Sequence, residues 1–308
     1  MKSFVLLGLL LGAVGLRADQ GSTAASFLKL QTGPRAIAMA ESFSGLADDI
    51  NAIQYNPGGL GFLSGQQFTI MHATWFEDMS YEYAAIASNF KSFGTIALSG
   101  LYLNGGSFDK YVLDSSGSPV SQGTFGASSI AMGFSYARTI IPSLSMGMNV
   151  KLISETIDTE STSGFSADFG TFYRMPFKGW TTGFELQNMG TNFGFEQAFE
   201  LPLTLRVGVG YKPSANVAVD MDYVQPKETV GHISVGGEYA YRMLFLRLGY
   251  KYGGALDYDQ TFTGFGPAIA AGLTMGLGFK YSNFQVDYAY ANYGFLGTPH
   301  RVALTVKF

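Results

Sequence analysis

The sequence predicts a transmembrane antiparallel up-and-down β-barrel of about fourteen strands with a short, partly helical N-terminal plug. Three observations predict it. Charge is scarce although no long apolar run follows the first residues. Apolar and polar positions alternate through most of the chain. The connections between alternating segments are tight at one end and longer at the other.

The 308 residues are 47% hydrophobic and only 14% charged, where a soluble domain carries about 25% charged residues. Beyond residue 18 no stretch reaches the roughly 20 apolar residues of a membrane-spanning helix, because polar residues and glycines interrupt every candidate. A barrel accounts for both facts, since only every second strand residue meets lipid. A net charge of −4 and a pI near 5.4 argue against nucleic acid as a partner. Without cysteine there are no disulfides, thiolate metal sites or lipidated cysteines.

Residues 1–18 read as a cleaved secretory signal. Lys2 supplies its charge, Phe4 to Leu16 its apolar core, and Leu16-Arg17-Ala18 the cleavage site before Asp19. The apolar core is too short to stay behind as a membrane span. Residues 19–65 do not alternate and form the expected plug, and residues 66–308 form the expected barrel.

Within the barrel region, Met146, Met148, Val150 and Leu152 share one strand face, and Ser145, Gly147, Asn149 and Lys151 share the other. Leu205, Val207, Val209 and Tyr211 likewise oppose Thr204, Arg206, Gly208 and Gly210. Side chains on a strand point alternately to its two faces. One face is therefore greasy, and the other is rich in Gly, Ser and charge, as befits a lumen. Tyr211, Tyr223, Tyr250, Tyr252, Phe279 and Tyr281 fall at strand ends on the apolar face, where interfacial girdles belong.

The expected strands cover 66–75, 82–90, 94–102, 128–138, 143–155, 164–174 and 180–189 in the first half. The second half holds 202–212, 216–224, 232–240, 244–252, 268–281, 284–291 and 300–308. Even-numbered strands lead into tight turns, odd-numbered strands into longer loops, notably 103–127, 156–163, 190–201 and 253–267. An even count returns both ends of the barrel to one side, and closure removes edges that lipid cannot satisfy. An exported barrel of this kind belongs in a bacterial outer membrane, surrounded by its lipid. The last segment puts Val302, Leu304, Val306 and Phe308 on one face. Phe308 as a terminal aromatic resembles the signal read by the barrel-assembly machinery.

The N-terminal segment carries a more specific pattern. Ser22 is positioned to cap a short helix through Leu30, Gly33-Pro34 breaks it, and Arg35 to Phe43 allow another helical turn or two. Gly33-Pro34-Arg35-Ala36, then Ala47-Asp48-Asp49, then Asn56-Pro57-Gly58-Gly59-Leu60 follow. Physically, Asn56 can fold its amide onto nearby backbone and Pro57 fixes φ for a turn. Arg35, Asp48 and Asp49 are candidates to pair with lumenal charges.

This pattern resembles the N-terminal signature of FadL-type hydrophobic-compound transporters, and more closely that of the PorV/PorQ family. The resemblance implies a fourteen-strand barrel whose N-terminal segment plugs the lumen, with Gly58 standing where the family usually has alanine. It implies one of two roles. A FadL-like barrel takes up hydrophobic small molecules such as long-chain fatty acids. A PorV-like component of type IX secretion instead binds exported proteins at the outer membrane.

No catalytic constellation is apparent, so no enzyme and no cofactor are expected. His72, His232 and His300 are too scattered for a metal site. By parity Arg206, Asp220, Asp222, Glu238, Arg247 and Asp287 face the lumen, joined by Lys151, Asp168, Glu185 and Lys251. Arg206 neighbours the strand of Asp220 and Asp222, and Glu238 that of Arg247, so cross-strand pairs of roughly 0.2–1 kcal/mol each are expected. Aromatics cluster in the longer loops: Phe193, Phe195 and Phe199 in one, Phe262 and Phe265 in another, and Phe108 in a third. Exposed apolar clusters mark binding sites or interfaces, so these six are candidate ligand contacts.

Overall fold

The computed structural model describes residues 21–75, 79–253, 272–292 and 299–308. The expected leader and the loop residues Phe262 and Phe265 lie outside the described residues.

Fourteen antiparallel strands close into a barrel in which each strand pairs with its sequence neighbours and the last pairs with the first. They are β1 (Gln66–Thr74), β2 (Ser80–Asn89), β3 (Thr95–Leu113), β4 (Pro119–Ile141), β5 (Leu144–Ile157), β6 (Glu160–Arg174) and β7 (Trp180–Gly190). There follow β8 (Thr204–Ser214), β9 (Val217–Pro226), β10 (His232–Tyr241), β11 (Leu244–Gly253), β12 (Leu273–Tyr281), β13 (Phe284–Ala291) and β14 (His300–Lys307). Closure follows the antiparallel register Gln67↔Lys307 through Thr74↔His300.

Parity behaves as alternation requires. On β11 the outward Leu244, Leu246 and Leu248 are exposed while the inward Arg247 is buried. The outward face is an apolar belt with aromatics at the turn end, where Trp180 stacks on Tyr211 at 4.5 Å and Phe93 meets Tyr136 edge-on. Such belts and girdles suit a lipid surround.

Two expected loops are strand instead. Residues 103–127 continue the β3–β4 pairing to Leu113↔Pro119, leaving only a tight turn at 114–118. Residues 156–163 continue β5–β6 to Ile157↔Glu160. β2 pairs with β3 only as far as Asn104, and β5 with β4 only from Ala127. Beyond those points β3 and β4 project as a free two-stranded ribbon. Its strands break register between Asn104 and Ser107 and again between Asp109 and Tyr111. Such irregularities, together with exposure on both faces, erase the alternation that marks the other strands.

Residues 21–65 run inside the barrel as short helical pieces: Ser26–Lys29, Pro34–Ile37, Ala52–Tyr55 and Pro57–Phe62. The first is not capped by Ser22; Ala25 precedes it in a left-handed conformation and no side chain caps it. Gly33-Pro34 starts a helix, with Pro34 in its first turn, where a missing N–H costs nothing.

Two kinds of contact seat this segment. On the β1–β4 side, inward Ala73, Ala85, Ala87 and Ala97 leave room for Ile50, Ile53 and Leu60 to pack. From β5 to β12 the wall presents glycine where the segment's backbone lies directly against it. A methyl on Gly210 would stand 2.5 Å from the Gly45 carbonyl oxygen, and one on Gly208 2.6 Å from the Gly45 amide. Gly58 reverses the relation, since a methyl there would stand 2.9 Å from the wall backbone at Gly170. That accounts physically for glycine at this motif position.

Gly210→Val therefore overpacks a contact the wall cannot relax, while Gly100→Val, with nothing within 4 Å of its added carbon, does not. The expected outcome is loss of the compact, SDS-resistant form in G210V only, read by gel mobility with and without heating.

Candidate functional site in the filled lumen

The N-terminal segment spans the lumen from loop end to turn end. Near the loop end the Ala24 amide donates to the Glu200 carbonyl at 2.9 Å, and Thr23 and Lys29 both engage the Glu228 carboxylate. Near the turn end Thr139 Oγ1 donates to the Gly61 carbonyl at 2.9 Å.

Between these ends the wall supplies partners for the segment's backbone. Asp222 Oδ2 accepts from the amides of Phe43 (3.1 Å) and Ser44 (3.0 Å) and from Ser44 Oγ (2.6 Å). Asp220 Oδ2 accepts from the amides of Gly45 (3.2 Å) and Leu46 (3.0 Å). Thr274 Oγ1 accepts from the Ala40 amide and donates to the Ala38 carbonyl, at 2.9 and 3.0 Å. Asn56 ties the segment to itself and to the wall. Its Nδ2 donates to the Ser44 and Thr171 carbonyls at 3.0 and 2.9 Å, and its Oδ1 accepts from the Gly58 amide at 3.0 Å. Pro57 opens the helical turn that follows.

Below this layer lies the main ionic cluster. The Arg35 guanidinium grips Glu238 with Nε at 2.9 Å and Nη2 at 2.8 Å, while Nη1 reaches both Asp48 and Asp49 at 2.7 Å. Arg247 donates to Glu238 at 2.7 Å and to Asp287 at 2.6 Å, and Lys212 pairs with Asp48. Burial alone draws the Arg35 guanidinium toward its neutral form, but the fields of Asp48, Glu238 and Asp49 outweigh it and raise its pKa well above the usual value. Burial likewise pushes the Asp48 carboxyl up, and Arg35 and Lys212 overturn that, holding it far below the usual carboxylate range.

The structure corrects one expected pair. Arg206 does not bond Asp220 or Asp222, which accept from the segment's amides, from the Ser44 hydroxyl and, at Asp220, from the adjacent Met221 amide. Arg206 faces Glu185 across the register and donates to Gln187 at 3.1 Å and to the Glu41 carbonyl at 3.2 Å. The reason is a third body in the lumen: the amides at 43–46 compete for the aspartates and win. Glu41, which sequence reasoning passed over, pairs with Lys251 at 2.7 Å. Burial raises its carboxyl, yet Lys251 and Arg206 hold it below its ordinary value. Its signal was present, because it is the single acid between Asp19 and Asp48 in an otherwise uncharged or basic stretch.

The candidate ligand aromatics divide. Phe193 is 2% exposed, a correction to its expected place on the surface, because it folds over Gly164 and bridges to Phe199 through paired backbone bonds of 2.8 and 2.9 Å. Phe195 and Phe199 remain exposed. Phe108 is exposed on the ribbon beside Phe125, on a different connection from Phe195 and Phe199. Where the segment's Phe27 and Leu28 meet Leu101 and Ala131 of the wall, with Gln54 and Lys151 at the margin, a cavity of about 10 Å³ remains. That holds about one water. Among the described residues no group of three His, Asp or Glu converges as a metal site.

These features define a closed fourteen-strand β-barrel with a filled lumen, and solved structures share that fold. The chain superposes on a TodX monoaromatic hydrocarbon channel carrying the deltaS2S3 mutation with a TM-score of 0.65 at 12% identity, covering 90% of this chain and 99% of that one. It is similar to a FadL homologue from Pseudomonas aeruginosa (TM-score 0.60, 11% identity, 90% and 98% covered). It is also similar to the toluene transporter TodX from Pseudomonas putida (TM-score 0.59, 12% identity, 89% and 96% covered). At these identities the likeness is one of fold. No protein-family profile matches the chain, and no curated protein sequence matches it.

Removing Arg35 leaves the buried Asp49 without a counter-ion and takes one of two cations from Asp48 and from Glu238. Arg35→Ala is expected to cost roughly 3–5 kcal/mol, and Arg35→Lys to recover only part of it, since a point charge cannot replace the fork. Urea midpoints in lipid vesicles measure both. Because the Asp48 carboxyl is depressed in the fold, its contribution is complete above about pH 4 and lost as pH falls below that. Asp48→Asn should flatten that acid limb of the midpoint-against-pH curve.

Proposed function

We propose that this chain is an outer-membrane barrel that takes up hydrophobic small molecules, with residues 21–65 acting as its plug. The observation that carries this reading is the filled lumen: residues 36–40, 43, 46 and 47 are at most 1% exposed. A lumen so occupied suits capture of a particular molecule rather than free passage of polar solutes. The fold likeness to hydrocarbon and toluene channels supports an apolar cargo, and long-chain fatty acids belong to the same chemical class. Phe195 and Phe199 at the loop end offer the first apolar contact. In this reading Arg35, Asp48, Asp49, Asn56, Pro57 and Gly58 hold the plug rather than touch cargo.

One observation favours a second reading, a PorV-like role in protein secretion. The β3–β4 ribbon exposes Phe108, Tyr111, Leu113 and Val120 beyond the barrel wall. A lone two-stranded ribbon is marginal in water, and its apolar side chains suit a protein partner.

Phe195→Ser with Phe199→Ser is expected to lower uptake of labelled toluene or long-chain fatty acid by roughly tenfold, from the loss of two exposed aromatic contacts. The assay is whole-cell uptake at matched amounts of SDS-resistant barrel. Unchanged uptake removes this loop from the mechanism. Absence of uptake by the unaltered chain, together with an exported protein retained in native mass spectrometry, moves the assignment to secretion.

A further inference from the structure

The turn end of the barrel is basic throughout. Lys91 and Arg138 flank the first two turns, Arg174 and Lys178 the third, and Arg242 and Lys280 the last two. Lys212 at the fourth turn and Lys307 on β14 complete the perimeter. The strand ends and turns that carry them (89–95, 138–145, 173–180, 211–217, 240–245, 279–285 and 305–308) contain no Asp or Glu. Asp48, reaching out of the lumen, neutralises Lys212. Among the described residues none of the other seven forms an ion pair, and all but Lys307 are exposed. Among the described residues the loop end has the opposite sign, with Asp109, Asp114, Asp158, Glu160, Glu196, Glu200 and Glu228 against Lys29, Lys110 and Lys227.

Solubilising charge is ordinarily of mixed sign, so this segregation needs another cause. The basic groups also alternate with exposed aromatics. Lys91 lies between Phe90 and Phe93, Lys178 between Phe177 and Trp180, Arg242 beside Tyr241, and Lys280 beside Tyr281. Aromatic rings settle at the headgroup level of a bilayer. Lys and Arg lay their stems along apolar surface and carry the charge out to the phosphates. Lys91, Arg138, Lys178 and Arg242 stand at four turns around the perimeter, while Arg174, which lies over the ring of the segment's Phe62, and Lys212, Lys280 and Lys307 share the inward parity of their strands. A soluble acidic partner would dock on one flank, whereas a lipid annulus meets every side.

We infer that this ring is a docking surface for the headgroups of anionic phospholipids in the leaflet facing the turns. The inference rests on the reading that the barrel spans a membrane. The full chain is reconstituted in nanodiscs of mixed phosphatidylethanolamine and phosphatidylglycerol, released, and its retained lipids are identified by native mass spectrometry. Phosphatidylglycerol should be retained in preference, and the preference should shrink with added salt. In K91Q/R138Q/K178Q/R242Q it should fall by about fivefold per cation removed. The salt series needs no variant, and K91R/K178R should keep the preference.

Equal retention of the two lipids, or an unaltered preference in the glutamine variant, overturns the inference. Displacement of phosphatidylglycerol by soluble polyglutamate, with binding retained, overturns it in favour of an acidic protein partner. Failure of the chain to insert in any bilayer is a separate result, because it removes the membrane reading before lipid preference is measured.

Discussion

A polypeptide threaded through a closed barrel has no water to bond its backbone, so the inner wall must do it. A buried amide left unpaired costs about 1–3 kcal/mol, and this segment carries its amides through the lumen with most of residues 36–47 fully buried. The rest of the interior follows from that constraint. Wherever the backbone lies flat on a strand the wall is glycine, as at Gly208 and Gly210. On β9, between glycine-bearing neighbours, the inward positions are Asp220 and Asp222, which accept four amides between them. The bare strands and the acidic one are two answers to the same close approach: one removes side chains, the other turns them into acceptors.

Charge around Arg35 obeys the same logic of satisfaction rather than attraction. A buried ion pair seldom stabilises a fold by itself, but a stranded buried ion is costly. The Arg35 cluster shows how the cost is contained. One planar fork serves Glu238 along one edge and two segment carboxylates along another, and Arg247 links the same Glu238 to Asp287. Arg35 belongs to the segment, Glu238 and Arg247 to the wall, so the cluster fixes the segment's register as well as its charge. Lysine has no such geometry.

Much of this fold was legible because lipid and lumen impose opposite chemistry on alternate residues. Ser145 to Leu152 and Leu205 to Tyr211 declare their faces without reference to anything distant, and the direct Glu238–Arg247 pair is a neighbour relation across one hairpin. The ribbon was not legible, because a strand exposed on both faces has no reason to alternate, and its Gly105-Gly106 step reads as loop. Phe193 misled for a related reason: burial there depends on Gly164, a strand away, making room for the ring. The Arg206 pairing failed because strand adjacency describes the wall in two dimensions and says nothing of a third body pressed against it. Sequence could propose that Arg35, Asp48 and Asp49 sought partners, but not that the partner would be Glu238.

The uneven wall carries one more consequence. A strand needs about 9–11 residues to cross a bilayer, and β1, β13 and β14 have 9, 8 and 8, while β3 and β4 have 19 and 23. The surplus is not shared between the two ends. β3 and β4 each begin or end near a short connection at the turn end, level with shorter neighbours of 10 and 14 residues, and their extra length emerges at the loop end. Tight turns explain part of this, since a connection such as Ser282-Asn283 leaves no slack for strands to slide. The inner segment does not decide the matter, because it is bonded to the wall at both ends, at Thr139 and Lys212 near the turns and at Glu200 and Glu228 near the loops. With the strands closed by tight turns at one end, their extra length emerges at the other, where Phe108, Phe195 and Phe199 lie.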